Sequence, residues 1–538
     1  MTRHAACLSF NDDDVNHLGD LTNRLARSHP DGEPARDSPM MVFWVWVRLV
    51  TVTDQRFLGT RRATSLPRVP PAPPRRFDPY PSPASRVDVA MVPPDVTDIE
   101  LMRDEAGGLL YEAGIATVTF FRGDIVAASR ALRAQFDAVA RLNPWLAGRL
   151  VRDKTSRGKL VLRHPVKPTQ AHVDAVFACD HASNASGEPS LGVTYAKLCG
   201  ALFAKKRVVP AGTALVNRPD APVAMLRLAR SPPNDDGDDD VFSLTFSLSH
   251  SVGDGRTYYE ILKMLTPGAK VAALDATRRH AFSEDMRDVC NRDALRWIDS
   301  VDAGCMFGCS MLPSLFGFGK KARCVAFVLD KDGLAEAKRA GAAASGAPFV
   351  STNDVLTSAF FNACDNRVGL MGLDCRGRVD GVASDAAGNY VTALVLDDDV
   401  FASPGGIRAM LGRVPYETTK RPFPSCAKWC AGMDRASAGM VTNWSSFAGD
   451  LVSFPDCELL LHLPVKHPDA MMFDCAIPFA SRPGELSVLC WTISTDEAGL
   501  REALPVGDVL SDALFPALKG GERGRAARRT TKVAPTER

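Results

Sequence analysis

The chain carries almost no net charge: 64 Lys and Arg stand against 63 Asp and Glu in 538 residues, which leaves +1 at pH 7. That balance removes the electrostatic reason to expect nucleic acid as a partner. The basic tail from Lys519 to Arg538 reads as a solvated terminus. Long apolar runs are also missing. Met40–Val47 (MMVFWVWV) stops at Arg48, far short of the ~20 residues that a membrane span needs. It begins too late for the apolar region of a signal peptide. Asp12, Asp13 and Asp14 argue against an acid-poor transit peptide, so the cytosol is the expected location.

The 14 cysteines form no dense framework. Cys305 and Cys309, and Cys426 and Cys430, have no histidine or second cysteine pair near them at zinc spacing, so no metal site is expected. Cys324 and Cys490 sit in apolar runs and read as small core residues with reduced thiols. The segment Gly317–Lys321 (GFGKK) lacks the glycine spacing and the following Ser or Thr of a phosphate-binding loop; it reads as a hinge.

What is present divides the chain. Residues 1–94 are polar and then proline-rich from Leu66 to Pro94 (VPPAPPRRFDPYPSP within it), a composition that favours an extended or disordered segment. From Asp98 onward the pattern becomes periodic. Ile115–Phe121 (IATVTFF) reads as a strand. Ile125, Ala128, Leu132, Phe136 and Val139 then recur at helical spacing up to Asn143-Pro144. Further on, Arg323–Asp330 reads as a strand, an alanine-rich helix starts near Gly333, and Ser351 to Asp354 has the form of a capping box. Glu458–Leu463 and Glu485–Ser494 read as buried strands. Strands mixed with helices in both halves imply α/β layering in two lobes. We therefore expect lobes over 95–318 and 319–518, flanked by the extension 1–94 and a basic tail 519–538.

One segment points to chemistry. Val241–His250 (VFSLTFSLSH) alternates, with Phe242, Leu244, Phe246 and Leu248 on one face and Ser243, Thr245, Ser247 and Ser249 on the other. His250 falls in phase with the apolar face. Gly253-Asp254-Gly255 then makes a tight turn into a helix bearing Tyr258, Ile261, Leu262 and Leu265. A satisfied core histidine followed by a helix-capping aspartate fits this segment about as well as a catalytic base does. The acidic run Asn234–Asp240 before it misses the calcium-loop ladder and reads as a solvated turn.

FSLSHSVGDGRTYYEIL resembles the HxxxDG segment of the CoA-dependent acyltransferase superfamily, which includes chloramphenicol acetyltransferase, the plant BAHD acyltransferases and peptide-synthetase condensation domains. Five further stretches resemble family segments in the same order: Asn143–Leu150 (NPWLAGRL), Ser351–Leu356 (STNDVL), Asp374–Arg378 (DCRGR, like the DxRxR strand), Gly388-Asn389-Tyr390 (like the GN turn) and Thr442-Asn443-Trp444 (like TSW or TNW). Together they run from about residue 96 to 515. Plant members carry a DFGWG loop where this chain has Ser453-Phe-Pro-Asp-Cys457. The chain is therefore a divergent member, and plant-type substrates do not transfer to it.

The resemblance implies two chloramphenicol-acetyltransferase-like α/β lobes with an active-site tunnel between them, and a monomer. It implies an acyl group moving from acyl-CoA, as co-substrate, to a hydroxyl or amine of a small-molecule acceptor, with no permanently bound cofactor. His250 would be the general base. Asp254 would pair with an arginine, Arg376 being the favoured one, while Gly253 and Gly255 support the turn. Thr442 and Asn443 are candidate donors to the oxyanion. Two other readings stay open: a condensation-type domain whose donor rides on a carrier protein, and a non-catalytic ligand-binding scaffold of the same fold. A metal hydrolase ranks below these, because His250 and Asp254 have no third ligand at suitable spacing.

Overall fold

The computed structural model describes residues 95–516 apart from 108–109, 112–113, 154–157, 181–187, 217, 219, 233–239, 299, 305, 307–321, 431–436, 448 and 467–472. The proline-rich extension 1–94 with its MMVFWVWV run, most of the acidic run, Cys305, Cys309, the GFGKK segment and the basic tail lie outside the described residues. No described helix is long and apolar enough to cross a membrane.

The structure is mixed α/β. In the first half the strands are β1 (Val96–Glu100), β2 (Gly114–Arg122), β3 (Arg149–Asp153), β4 (Lys159–Pro165), β5 (Phe177–Asp180), β6 (Ala224–Arg230) and β7 (Val241–Ser249). In the second half they are β8 (Arg323–Leu329), β9 (Val368–Asp374), β10 (Val391–Asp397), β11 (Ala438–Val441), β12 (Glu458–Pro464), β13 (Asp474–Arg482), β14 (Glu485–Thr492) and β15 (Val506–Val509). They form a three-stranded sheet β1-β4-β3, a five-stranded sheet β12-β2-β7-β6-β5 and a seven-stranded sheet β10-β9-β11-β13-β14-β8-β15.

Two segments cross the division expected between 318 and 319. β12 belongs by sequence to the second half, yet it pairs antiparallel with β2 at the edge of the first sheet, Pro464 opposite Thr117. Conversely, the helix Arg292–Ile298 belongs to the first half and packs on the second. Trp297 joins Val368, Val395 and Ala438 in one cluster, stacks on Phe423 at 4.9 Å and donates its indole N–H to Pro424 O. Apolar periodicity identifies a buried strand but not the sheet that receives it, which is why the boundary in sequence is not the boundary in space.

The helix α1 (Ile125–Leu142) buries the five positions that its spacing marked and is capped by Asp124, whose carboxylate accepts from Val126 N. Ser351 and Asp354 close a reciprocal capping box at the start of helix Thr352–Ala363. β7 is buried over all nine residues. Its hydroxyl face is not a solvent face: Ser243 Oγ donates to Ala229 O and Ser247 Oγ accepts from Val209 N. Those two buried hydroxyls find backbone partners, whereas Ser249 Oγ, at the end of the strand next to His250, is buried without one among the described residues.

Candidate active site at the seam of the lobes

His250 is the first residue after β7, and the chain then turns into α2 (Gly255–Met264). Tyr258 of α2 stacks on Phe246 at 4.8 Å, and its hydroxyl donates to Phe246 O and meets Thr117 Oγ1. Tyr259 meets Trp444 edge-on at 6.1 Å. Aromatic packing thus fixes α2 between the first sheet and the second-lobe segment at Trp444.

The two glycines of the turn play different parts from the one expected. Neither has a positive φ. A Cβ at Gly253 would sit 2.8 Å from Thr257 Cγ2 and 3.1 Å from Leu248 Cδ2, so this position requires glycine for space. At Gly255 the nearest atom is Phe447 Cε2 at 3.6 Å, an ordinary contact. Across the seam, Gly388 at φ +147° does need glycine, and a side chain there would also crowd Arg278.

Asp254 caps α2, accepting from Thr257 N through Oδ1 at 2.9 Å. Arg376 brackets the same carboxylate: NH1 donates to Oδ2 at 2.9 Å and NH2 to Oδ1 at 3.1 Å. Tyr390 N supplies a fourth bond to Oδ2, at 3.0 Å. Both side chains are 3% exposed. Burial works against the guanidinium's charge, but Asp254 and then Asp374 outweigh it, and its pKa ends above the ordinary value. Arg376 is not on a strand, as the DxRxR resemblance implied. Strand β9 stops at Asp374, and Arg376 occupies the turn that follows, where Gly377 at φ +69° permits the reversal. Arg378 faces elsewhere and donates to Tyr416 OH.

His250 faces a different partner. Its Nδ1 lies 2.8 Å from Asn389 Oδ1. The orientation of that amide follows from its other bonds, because Asn389 Nδ2 donates to His250 O at 2.5 Å and to Glu105 Oε1 at 3.1 Å. Oδ1 is then an acceptor, so Nδ1 carries the proton and Nε2 holds the lone pair. Nε2 has no partner among the described residues. Glu105 is itself fixed: Arg278 Nε donates to its Oε2 at 2.8 Å, with side chains 1% and 0% exposed, and Met102 N and Asn389 N donate to the two oxygens. Arg278 also donates to Val252 O and Ala387 O, which ties the loop after His250 to the turn before Asn389. Nothing in the sequence marked Glu105 or Arg278, and Asn389 stood out only as half of a turn.

Burial lowers the pKa of His250, and the positive charge of Lys466 lowers it further; Asp254 and Asn389 act the other way without reversing the result. At neutral pH the imidazole is therefore neutral and able to accept a proton. Thr442 and Asn443 sit half-buried just after β11. Thr442 N donates to Ala476 O, and Asn443 Oδ1 accepts from Ser445 N and Oγ. No described hydrogen bond joins either residue to His250. A surface hollow of about 360 Å³, walled by Asp98, Glu100, Thr277 and His280 among others, does not include His250.

No family model matches the chain, and no curated protein matches it. Among solved structures it is similar to the first condensation domain of the calcium-dependent antibiotic synthetase (14% identity, 76% of this chain and 94% of that chain, TM-score 0.47). It is likewise similar to vinorine synthase (14%, 78% and 95%, 0.47) and to F. graminearum TRI101 complexed with coenzyme A and T-2 mycotoxin (13%, 76% and 96%, 0.44).

Proposed function

We propose that the protein is an acyltransferase that moves an acyl group from acyl-CoA to a hydroxyl or amine acceptor, with His250 as general base. The observation that carries this reading is the Asn389–His250 bond: it fixes the ring with the proton on Nδ1 and leaves Nε2, which has no partner among the described residues, to accept a proton. Nε2 takes the acceptor's proton as its oxygen or nitrogen attacks the thioester carbonyl carbon. The tetrahedral intermediate collapses, the C–S bond breaks, and the imidazolium returns the proton to the departing CoA thiolate. While charged, the imidazolium donates Nδ1–H to Asn389 Oδ1, and the charge of Asp254 favours it. Asp254 is a positioning residue: four accepted bonds fill its carboxylate and leave it no part in proton transfer. Thr442 Oγ1 and Asn443 Nδ2, which have no partner among the described residues, are the proposed donors to the oxyanion.

The test is release of free CoA thiol when the purified protein meets a panel of acyl-CoAs with alcohol and amine acceptors. Acceptor-dependent release supports the reading. Strict dependence on a carrier-protein-bound donor would replace acyl-CoA, and binding of acyl-CoA without release under any condition would leave only a scaffold.

A further inference from the structure

Lys466 follows β12, the strand that the second half lends to the first sheet. Pro464, Thr117 and Phe246 share one transverse row of that sheet. Val465 N continues the ladder to Ala116 O at 2.8 Å. Lys466 therefore lies at the end of the sheet from which His250 emerges, two strands away. Its backbone is clamped by Tyr195, whose hydroxyl donates to Pro464 O at 2.9 Å and accepts from Lys466 N at 3.2 Å. Its ammonium lies 5.6 Å from the centre of the Trp444 ring, on the second-lobe segment that also carries Thr442 and Asn443. Its charge reaches both His250 in the first lobe and Cys475 in the second.

Unlike Arg278, Arg367 and Arg376, each buried against a carboxylate, Lys466 has no anionic partner among the described residues. Lys466 is half-buried, and burial lowers its pKa; an ammonium partly withdrawn from water without a counter-charge is held at a cost that a methionine of much the same size would not carry. The Trp444 face offsets only part of it. The charge is also placed against the proposed chemistry, since it discourages protonation of His250. Both oddities resolve if the missing anion arrives with the substrate.

We propose that Lys466 is a subsite for a carboxylate carried by one of the two substrates, bound beside His250 and Trp444 at the seam of the lobes. The inference rests on the acyltransfer reading for what the substrates are, but its chemistry is that of a carboxylate on a half-buried ammonium. The anion neutralises the charge that opposes His250, so the base is strengthened when the site is filled. The carboxylate belongs either to the acyl chain of the donor or to the acceptor.

Calorimetric binding to the full-length protein tests this without requiring turnover. One arm compares succinyl-CoA with butyryl-CoA, and the other compares 4-hydroxybutanoate with 4-hydroxybutanamide. We expect the charged member of one pair to bind at least tenfold more tightly, Lys466→Met to abolish that preference while leaving the neutral member unchanged, and Lys466→Arg to retain it. The arm that shows the preference identifies the substrate that carries the carboxylate. A second readout is the His250 imidazole titration followed by NMR, which should move upward in Lys466→Met and upward in the wild type on saturation with the preferred anion. The proposal is overturned if neither pair shows a preference, if Lys466→Met weakens charged and neutral members alike, or if the His250 titration is unmoved. Should Lys466→Met fail to fold, the wild-type comparison and the Arg variant decide alone. A charge preference without CoA release would sink the acyltransfer reading and leave the subsite standing.

Discussion

Breaking the Asp254–Arg376 pair should destabilise the protein unequally from its two ends. In Asp254→Asn, Arg376 loses two bonds but keeps Asp374 Oδ1 at 2.9 Å, a carboxylate 24% exposed. The stranded cation thus retains a counter-charge, and we expect a loss of about 3 kcal/mol, the low end for breaking a buried pair. In Arg376→Met, Asp254, 3% exposed in the intact pair, keeps only Thr257 N and Tyr390 N as donors and has no other paired cation among the described residues. Ala386 O loses its donor, and Thr257 Oγ1 and Gly388 O each lose one bond while keeping others, so we expect about 4–5 kcal/mol, toward the upper end. The double variant leaves neither charge unpaired and should cost about 2 kcal/mol less than the sum, within the range for contacting residues in one network. Urea unfolding of the four proteins at constant slope supplies the cycle. Losses that add within about 0.5 kcal/mol would refute the coupling. So would an Asp254→Asn variant of unchanged stability whose turnover falls as far as that of a His250 variant.

Asn389→Ala should lower kcat by roughly 10–10²-fold with KM little changed, because it frees the imidazole to leave its reactive orientation; an unchanged kcat would remove Asn389 as the residue that positions the base. Burial holds the pKa of His462 down to about 3, between Thr119 Oγ1 and Tyr259 OH. The folded value is depressed, so the stability it confers is full above the unfolded pKa near ~6.5 and is lost as pH falls toward 3. His462→Leu should flatten the fall of Tm with pH over that window, and a profile parallel to the wild type would contradict the assignment.

The parts of this molecule that periodicity could show were those whose partners are local in sequence. The alternation of β7, the helix after Gly255, the spacing of α1 and the Ser351–Asp354 box each depend on residues a few positions apart, and each appears where the pattern placed it. The resemblance added Asp254 and Arg376, 122 residues apart, which the structure joins. What stayed hidden are unions with no local signature. Glu105 reaches Asn389 across 284 positions, β12 leaves its own half to pair with β2, and Lys466 acquires its setting only from that exchange. Gly253 was legible as a turn residue, but its requirement is the Thr257 methyl pressed against it.

The most direct measurement is the rate of acceptor-dependent CoA thiol release by wild type and His250→Ala, compared at matched folded concentration across pH. We expect a loss of roughly 10²–10⁴-fold in the variant. In the wild type the acid limb should lie below the ordinary imidazole value near ~6.5, since the neutral ring is the active form and burial with Lys466 lowers its pKa. A folded His250→Ala protein that releases CoA at a near-normal rate would contradict His250 as the base.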